Sequence, residues 1–386
     1  MVTMSSAGAG EPSANPNHDM NIYADRMERA RAHMRDKGID LLLLSLGPDL
    51  PYISGYTAMP LERLTMLVVP REGQARMVIP RMEAARVTPQ PGVFEIHPWG
   101  ETENPVEIVA KLAADAGPAN TVAIGDQMWA RFLVELLPLL PGAHFSRADV
   151  VTSMRMTKDA AEIAALRAAG AAVDRIAARL QAGEIPLVGR TEAAVSADLS
   201  DRIVAEGHQV TNFAIVAAGA NAASPHHHAS DRVIGKDEIL LCDFGGTMDG
   251  YCSDITRCVY LGTPPTEIVE AYAVLHEAQR AAVLAGIVGT PCQDVDRVAR
   301  RIITDAGFGE YFFHRTGHGI GMDAHEDPYI VEGNKVLLQP GHAFSVEPGI
   351  YVEGKWGMRL EDIVVATDDG PDPMNLANHD LVALDV

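Results

Sequence analysis

The segment at residues 314–328, HRTGHGIGMDAHEDP, contains three histidines, His314, His318 and His325, interspersed with three glycines. Imidazole nitrogens bind metal ions and transfer protons near neutral pH. The segment has neither helical nor strand periodicity, which indicates a loop. A single histidine in a loop is more often a surface or packed residue than a ligand. His318 is the strongest candidate for an exception, because it lies directly between two glycines, which let the backbone approach a site closely.

Two aspartates flank a turn sequence elsewhere in the chain. Asp243 and Asp254 lie at equal distances from a point between Met248 and Asp249, within the turn signal Met-Asp-Gly. If the flanking runs form a hairpin without a bulge, the two aspartates face each other directly. Their Cβ atoms would then be roughly 4.5–5.5 Å apart.

Two glutamates repeat this pattern. Glu347 and Glu361 are equally distant from Gly354, which predicts a second hairpin with these acids opposite each other. Four exposed acids at hairpin edges are the simpler alternative, but two hairpins that each centre on their own turn residues disfavour it. The neighbouring residues are apolar, so we expect the acids to be at least partly buried. Buried like charges raise each other's pKa, and a pair of divalent cations would supply the missing counter-charge.

The elements that must position these residues follow from the local periodicity. Residues 1–19 are small and polar, and we expect them to be disordered. Short apolar runs alternate with helical segments over residues 20–150, which predicts an α/β domain. Residues 151–386 begin with a long helix and continue with hairpin-like strands and intervening helices, which predicts an α+β domain.

Within the second domain, individual elements are predicted from periodicity and turn residues. Helices are expected from about Ala161 to Gly183 and over residues 192–206, 267–285 and 292–306. Strands are expected over residues 213–219, 238–246, 252–262, 342–354, 357–367 and 381–385.

The composition excludes several classes of partner. Lysine and arginine total 31 against 52 aspartate and glutamate, which gives a formal net charge of −21. So acidic a surface repels nucleic acid and anionic membranes, and we expect neither as a partner. No run approaches the roughly 20 apolar residues of a membrane span, and the N-terminus does not resemble a secretory signal. The four cysteines lack CxxC spacing and fit free, buried thiols in a reducing cytoplasm.

Several motifs together resemble one known family, the pita-bread metallopeptidases, which include prolidase (Xaa-Pro dipeptidase), aminopeptidase P and creatinase. The resemblance covers about residues 20–386. It rests on the sequences NFAIVAAGANAASPHHHASDR, LLCDFGGTMDGYCSDITR, HRTGHGIGMDAHEDP, FSVEPGIYVEG and MRLEDIV, with LPYISGYT and RMTKDAAEIAALRAAG nearer the N-terminus. It implies a pita-bread catalytic domain of α+β class, preceded by a smaller α/β creatinase-type N-terminal domain.

The resemblance also implies a set of metal ligands. The family's five ligands fall on Asp243, Asp254, His318, Glu347 and Glu361. Asp254 and Glu361 would bridge two metal ions, Asp243 would complete one, and His318 and Glu347 would complete the other. All five are present, which distinguishes the chain from creatinase. Because the set has no thiolate, Mn²⁺ is the expected metal, with Co²⁺ or Zn²⁺ as alternatives.

The resemblance further implies catalytic roles. His226 and His325 match substrate-facing histidines, Arg359 matches an arginine near the site, and His314 matches a histidine behind it or beside the substrate. Arg359 could instead be a counter-charge for a neighbouring acid. A metal-bridging hydroxide would attack the scissile carbonyl, and Glu347 could relay its proton to the leaving amine.

The expected activity is hydrolysis of the Xaa-Pro bond of short peptides, by an Xaa-Pro dipeptidase or an Xaa-Pro aminopeptidase. A metal-dependent hydrolase or lyase of a small non-peptide metabolite on the same fold is the alternative. A catalytically inactive binding protein is a third possibility, which the complete ligand set disfavours. The family's N-terminal domain commonly mediates dimerisation, so a homodimer is expected.

Overall fold

A computed structural model describes residues 16–117 and 119–385 of the chain. The chain divides into two compact units, Met1–Val151 and Thr152–Val386. The predicted disordered tail, residues 1–19, lies outside the described residues as far as residue 15. Its last residues belong to the first helix, which begins at Pro16. The predicted tail therefore extends too far towards the C-terminus. The helix begins at a proline, whose fixed φ suits the first position of a helix.

In the first unit, helices alternate with short strands. The helices are α1 (Pro16–Lys37), α2 (Asp49–Ser54), α3 (Pro105–Ala116), α4 (Ala130–Leu136) and α5 (Asp149–Met156), which contains the division at Val151. The strands are β1 (Leu41–Leu44), β2 (Met66–Pro70), β3 (Ala75–Pro80), β4 (Phe94–Trp99), β5 (Thr121–Ile124) and β6 (His144–Arg147). They form one mixed sheet in the order β4-β3-β2-β1-β5-β6.

The central strand β1 explains how this sheet is covered. All four of its leucines are buried, so both faces of the strand are covered, which accounts for its unbroken apolar sequence. Leu41 and Leu43 point to one face, where they belong to a core cluster with Val109 of α3 and Phe132 of α4.

The second unit carries the remaining elements. Its helices are α6 (Ala160–Gln181), α7 (Glu192–Ala205), α8 (Thr266–Ala285) and α9 (Cys292–Asp305). Its strands are β7 (Val210–Ala218), β8 (Glu238–Met248), β9 (Tyr251–Cys252), β10 (Ile255–Leu261), β11 (Gly317–Gly319), β12 (Glu326–Ile330), β13 (Ala343–Val346), β14 (Gly349–Val352), β15 (Trp356–Arg359), β16 (Asp362–Thr367), β17 (Gly370–Pro373) and β18 (Val382–Leu384). The predicted helices and strands of this region are confirmed to within a few residues.

The strands of the second unit form two larger sheets and a hairpin. One sheet has the order β18-β10-β8-β7, with β9 paired to β8, and the other has the order β12-β11-β13-β16-β17. The strands β14 and β15 form the separate hairpin. The histidine-rich segment, predicted to be a loop, contributes the short strands β11 and β12. Glycine has no side chain and cannot contribute to an apolar–polar alternation, so periodicity did not predict these strands.

Alternate residues of β8 belong to two different cores. Leu240 and Cys242 pack in a cluster with residues of α6 and α7, whereas Leu241 packs in the cluster with residues of α8 and α9. Asp243 follows the alternation of Leu241, so its side chain lies on the α8–α9 side of the sheet. Among the described residues, no helix is long and apolar enough to cross a membrane.

Candidate metal centre

A cavity of about 760 Å³ in the second unit brings the candidate residues together. Its lining includes all nine residues singled out from the sequence: His226, Asp243, Asp254, His314, His318, His325, Glu347, Arg359 and Glu361. The two hairpins and the glycine-rich segment, which are far apart in the sequence, therefore meet at one site.

The first hairpin forms, but with a register different from the predicted one. Asp243 pairs with Thr256 rather than with Asp254. The prediction that the two aspartates are directly opposite is wrong, because the turn is centred one residue later. Asp249 and Gly250 occupy it with φ values of 49° and 84°, as a tight hairpin turn requires. The resulting displacement is two residues, which keeps both aspartates on the same face of the sheet and in the cavity lining.

The second hairpin has the predicted register. The pairing of β14 with β15 and the pairing of β13 with β16 follow one continuous alignment, which puts Glu347 opposite Glu361. Gly354 is in its turn, with a φ of 72°. A bridge between Thr256 and Glu361 joins this hairpin to the first one. The two pairs of carboxylates are thereby fixed to connected backbone.

His318 is held with one ring nitrogen towards the carboxylates. Its Nε2 lies 3.4 Å from Glu347 Oε1 and 3.9 Å from Asp254 Oδ2. Its Nδ1 lies 3.0 Å from the carbonyl oxygen of Gly319, where it can only donate a proton. That hydrogen bond favours the tautomer whose Nε2 is free to bind a metal ion. A Cβ atom on Gly317 would lie 1.8 Å from the carbonyl oxygen of Ser345, so glycine is needed for this close strand approach.

Burial and mutual repulsion dominate the electrostatics of the acids. Burial raises the pKa of Asp254 well above its usual value, and the charges of Glu361 and Asp243 raise it further. Burial raises the pKa of Glu361 in the same way, with additional contributions from Glu347 and Asp243. Burial also raises the pKa of Glu347 to about 7. The pKa of each of the three acids is raised although Arg359 lowers it, which indicates that the site needs more positive charge than this arginine supplies.

The donor atoms fit divalent cations. Ligand atoms of Asp254, His318 and Glu361 all lie within 4.8 Å of one another, and all three residues are buried. Asp243 Oδ1 and Asp254 Oδ1 are buried oxygens without a hydrogen-bond donor among the described residues. Buried oxygens of this kind are costly unless a cation or a donor satisfies them.

Arg359 is committed to contacts within the protein. Its NH2 group donates to Asp243 Oδ2 at 2.6 Å and its Nε donates to Thr256 Oγ1 at 3.1 Å. Its NH1 group donates to Tyr351 Oη at 3.0 Å and to the carbonyl oxygen of Pro225 at 3.3 Å. Its ion pairs are with Asp243 and, at 3.9 Å, with Glu347, and not with Glu361 or Asp362, the neighbouring acids of the alternative interpretation. Arg359 thus orients a candidate ligand.

The three other histidines occupy different positions around the cavity. The ring of His325 lies 3.9 Å from that of His318, and His226 lines the same cavity. His314 Nε2 lies 2.9 Å from Tyr351 Oη, behind Arg359. Burial, assisted by the charge of Arg359, lowers the pKa of His314 to about 4, so this ring is neutral at physiological pH.

Comparisons with known proteins agree with this geometry. Residues 163–368 match the model of metallopeptidase family M24, and residues 26–157 match that of the creatinase/prolidase N-terminal domain. The chain belongs to metallopeptidase family M24.

The relatives of this M24 chain match it over nearly their full length. It is 42% identical to the probable dipeptidase PepE of Mycobacterium tuberculosis, over 95% of this chain and 98% of that protein. It is 34% identical to the Xaa-Pro dipeptidase of Lactobacillus delbrueckii subsp. lactis, over 93% and 99% of the two chains. It is also similar to the crystal structure of dipeptidase PepE from Mycobacterium ulcerans, with a TM-score of 0.90 and 43% identity over 95% and 99% of the two chains.

Membership of M24 confirms the predicted family and fold class, a creatinase-type N-terminal domain followed by a pita-bread catalytic domain. The enzyme class, a metallopeptidase that uses divalent metal ions, is confirmed as well. The assignment of individual ligands and catalytic residues stays a prediction.

One residue that supports this M24 site, without lining its cavity, was missed by sequence reasoning. Glu192, at the first position of α7, is fully buried and accepts hydrogen bonds from Ala218 N at 2.9 Å, His227 Nε2 at 2.8 Å and Ser230 Oγ at 2.6 Å. Burial raises its pKa, but these donors outweigh burial and lower the pKa below its usual value. Glu192 therefore fixes the loop that presents His226.

Two further residues were missed behind the carboxylates. Thr256 Oγ1 donates to Glu361 Oε2 at 2.6 Å, and it lies two residues after Asp254 on the same strand face, which is a signal that the sequence contains. Arg257 is fully buried and its NH2 group donates to Asp362 Oδ1 at 2.7 Å. No local pattern in the sequence distinguishes that arginine from an exposed one.

Proposed function

We propose that this chain is a dinuclear-metal dipeptidase that hydrolyses the Xaa-Pro bond. The observation that carries the proposal is the single cavity lined by five candidate metal ligands and by His226 and His325. The printed names of the relatives, a probable dipeptidase and an Xaa-Pro dipeptidase, support the substrate class.

In this proposal Asp254 and Glu361 would be the shared ligands of two metal ions. Asp243 would complete the ligand set of one ion, and His318 and Glu347 would complete that of the other. Mn²⁺ is the proposed metal, and Co²⁺ or Zn²⁺ are alternatives, because the donors are four carboxylates and one imidazole. When bound, such ions supply an activated water and polarise the scissile carbonyl group.

The protein's own groups would complete the reaction. His226 and His325 donate hydrogen bonds to the carbonyl oxygen as negative charge develops on it. The carboxylate of Glu347 takes a proton from the attacking water and returns it to the leaving nitrogen. Arg359 holds the Asp243 carboxylate by its hydrogen bond of 2.6 Å. His314, kept neutral by burial, supports Tyr351 behind that arginine.

The cavity wall also suits a proline-containing substrate. The lining includes the apolar residues Phe213, Ile215 and Phe313, which offer surface for packing against a pyrrolidine ring. The nitrogen of an Xaa-Pro bond carries no hydrogen, so a site for this bond does not need an acceptor at that point.

A peptide panel tests the proposal. Protein stripped by a chelator and reloaded with Mn²⁺ is expected to hydrolyse Xaa-Pro dipeptides, whereas the stripped protein is expected to be inactive. Full activity of metal-free protein would refute the metal-dependent mechanism. Cleavage of no Xaa-Pro peptide, together with turnover of a small non-peptide amide or thioether, would favour the alternative activity.

We also infer a homodimer in the cytoplasm. The four cysteines are all buried and unpaired, which supports a reducing compartment. The dimer rests on the creatinase-type N-terminal domain, which commonly mediates dimerisation in this family. Light scattering on the purified protein tests it, and a mass near 41.4 kDa, that of one chain, would contradict it.

A further inference from the structure

The second arginine in the cavity has a different environment from Arg359. Arg315 lines the cavity and is partly exposed. Among the described residues, no acceptor takes a hydrogen bond from its guanidinium group and no carboxylate forms an ion pair with it. Its guanidinium carbon instead lies 4.3 Å from the centre of the Tyr329 ring. Stacking of this kind fixes the plane of the guanidinium group and leaves its N–H edges open.

The two arginines therefore differ in what they can offer a ligand. All three side-chain nitrogens of Arg359 donate to protein atoms, and the residue is only 2% exposed. Arg315 retains its donors and faces the same cavity. The cavity lining contains these two arginines and no lysine. Arg315 is therefore the permanently charged group in the lining that is free to bind an anion.

A dipeptide brings such an anion to this cavity. When its only peptide bond is at the metal centre, its terminal carboxylate is one residue away, about 3.8 Å between consecutive Cα atoms. That carboxylate loses part of its water shell on entering the cavity, which is costly unless a cation or hydrogen-bond donors face it. In a longer peptide the same position holds a neutral peptide bond, which has no need for the cation.

We propose that Arg315 binds the terminal carboxylate of the substrate and thereby makes the enzyme prefer dipeptides to longer or capped peptides. This inference rests on the proposed function, hydrolysis of Xaa-Pro substrates. It assigns the anchoring role to Arg315 and not to Arg359, the arginine that the family resemblance placed near the site. The planar guanidinium group suits two parallel hydrogen bonds to a carboxylate.

The test compares Ala-Pro with Ala-Pro amide, which differ only in the terminal charge, on full-length protein loaded with Mn²⁺. The wild type is expected to prefer Ala-Pro by about 10- to 100-fold in kcat/KM, the range of a charge-assisted hydrogen bond. The Arg315→Gln variant is expected to lose this preference through a higher KM for Ala-Pro, with hydrolysis of the amide changed by less than about threefold. The ratio of the two substrates is thus the measured quantity.

Two variants serve as controls. Arg315→Lys keeps the charge but not the planar geometry, and it is expected to restore part of the preference for Ala-Pro. Arg301→Gln removes an exposed arginine of α9 outside the cavity lining and is expected to leave both substrates unchanged. Elemental analysis of each variant is expected to give equal metal contents.

The outcomes separate this inference from the proposed function. If Arg315→Gln lowers kcat/KM equally for both substrates, the arginine has a general structural role and the inference is overturned. If the wild type hydrolyses neither substrate, the proposed function fails, and calorimetric binding of the two ligands decides the inference alone. Preferential binding of Ala-Pro that Arg315→Gln abolishes would support the anchor, and equal binding of both ligands would refute it.

Discussion

Glu361 and Asp362 are neighbours in the chain and are equally buried, each 2% exposed, yet the protein surrounds them with opposite charges. Burial and the charges of Glu347 and Asp243 raise the pKa of Glu361 well above its usual value. Burial also raises the pKa of Asp362, but Arg257 and His379 outweigh it, and the pKa is lowered.

The comparison shows what separates a structural acid from a proposed metal ligand. Asp362 accepts hydrogen bonds from Arg257, Gln279 and His379, so its charge is compensated by protein groups. Glu361 accepts one from Thr256, and the charges of Glu347 and Asp243 outweigh that of Arg359 at this carboxylate. Burial alone does not distinguish the two residues. The excess negative charge around Glu361 is what a bound cation would balance.

The largest effect is expected from removing one of the acids whose charge the protein does not fully compensate. Asp254→Asn removes a proposed shared ligand, and we expect hydrolysis of Xaa-Pro dipeptides to fall by about 10³-fold or more, since metal ions contribute several kcal/mol to such reactions. Initial rates and elemental analysis provide the measurements. A variant with the wild-type metal content would contradict the proposed ligand role of Asp254.

The next test removes an acid from the compensated group. Asp362→Asn leaves the fully buried charge of Arg257 without its partner. Breaking a buried ion pair in this way typically costs about 3–5 kcal/mol. We expect the denaturation midpoint of the metal-free variant to fall accordingly, whereas Asp380→Asn, at an exposed position, serves as the unaffected control. An unchanged midpoint would show that the Arg257–Asp362 pair does not stabilise the fold.

These two groups also differ in how far the sequence predicted them. The uncompensated acids are on hairpins, where turn residues and spacing predict which side chains meet. The alignment of Glu347 with Glu361 was predicted in this way. The alignment of Asp243 with Asp254 was wrong by two residues, because the turn uses Asp249 and Gly250. Because the displacement is an even number of residues, both aspartates stay on the predicted face of the sheet. The error in register therefore does not separate them.

The compensating groups could not be predicted in the same way. Arg257 and Asp362 are 105 positions apart in the chain, and Glu192 and His227 are 35 positions apart. These pairs meet only after the sheets and helices have packed, and no turn or periodicity relates their positions. Helix and strand positions were predicted because they depend on local patterns, whereas the partners of buried charges depend on the tertiary fold.

Glu192 is another buried acid whose charge is compensated by protein groups. It acts on the site indirectly, through the loop that presents His226. Glu192→Gln would place amide hydrogens against the donors of His227 or Ser230 and disturb the loop that presents His226. We expect kcat for an Xaa-Pro dipeptide to fall by about tenfold, within the range of a misplaced hydrogen-bonding group, with metal content unchanged. Glu184→Gln, at an exposed position, is the matched control. Loss of metal together with activity would mean that Glu192 acts on the ligands and not on the loop.

The smallest expected effect is also the one that contrasts most directly with Asp362. Glu361→Gln removes one charge from the crowded acids and keeps an oxygen that can accept the hydrogen bond from Thr256. We expect the metal-free variant at pH 8 to be more stable than the metal-free wild type by about 1 kcal/mol, because buried like charges repel on this scale. Mn²⁺ should then stabilise the wild type and not the variant, since only the wild type keeps both shared ligands. Denaturation with and without Mn²⁺ measures both effects. Substitutions at adjacent buried acids would thus change the stability of the metal-free protein in opposite directions, and destabilisation by Glu361→Gln would show that its charge is compensated after all.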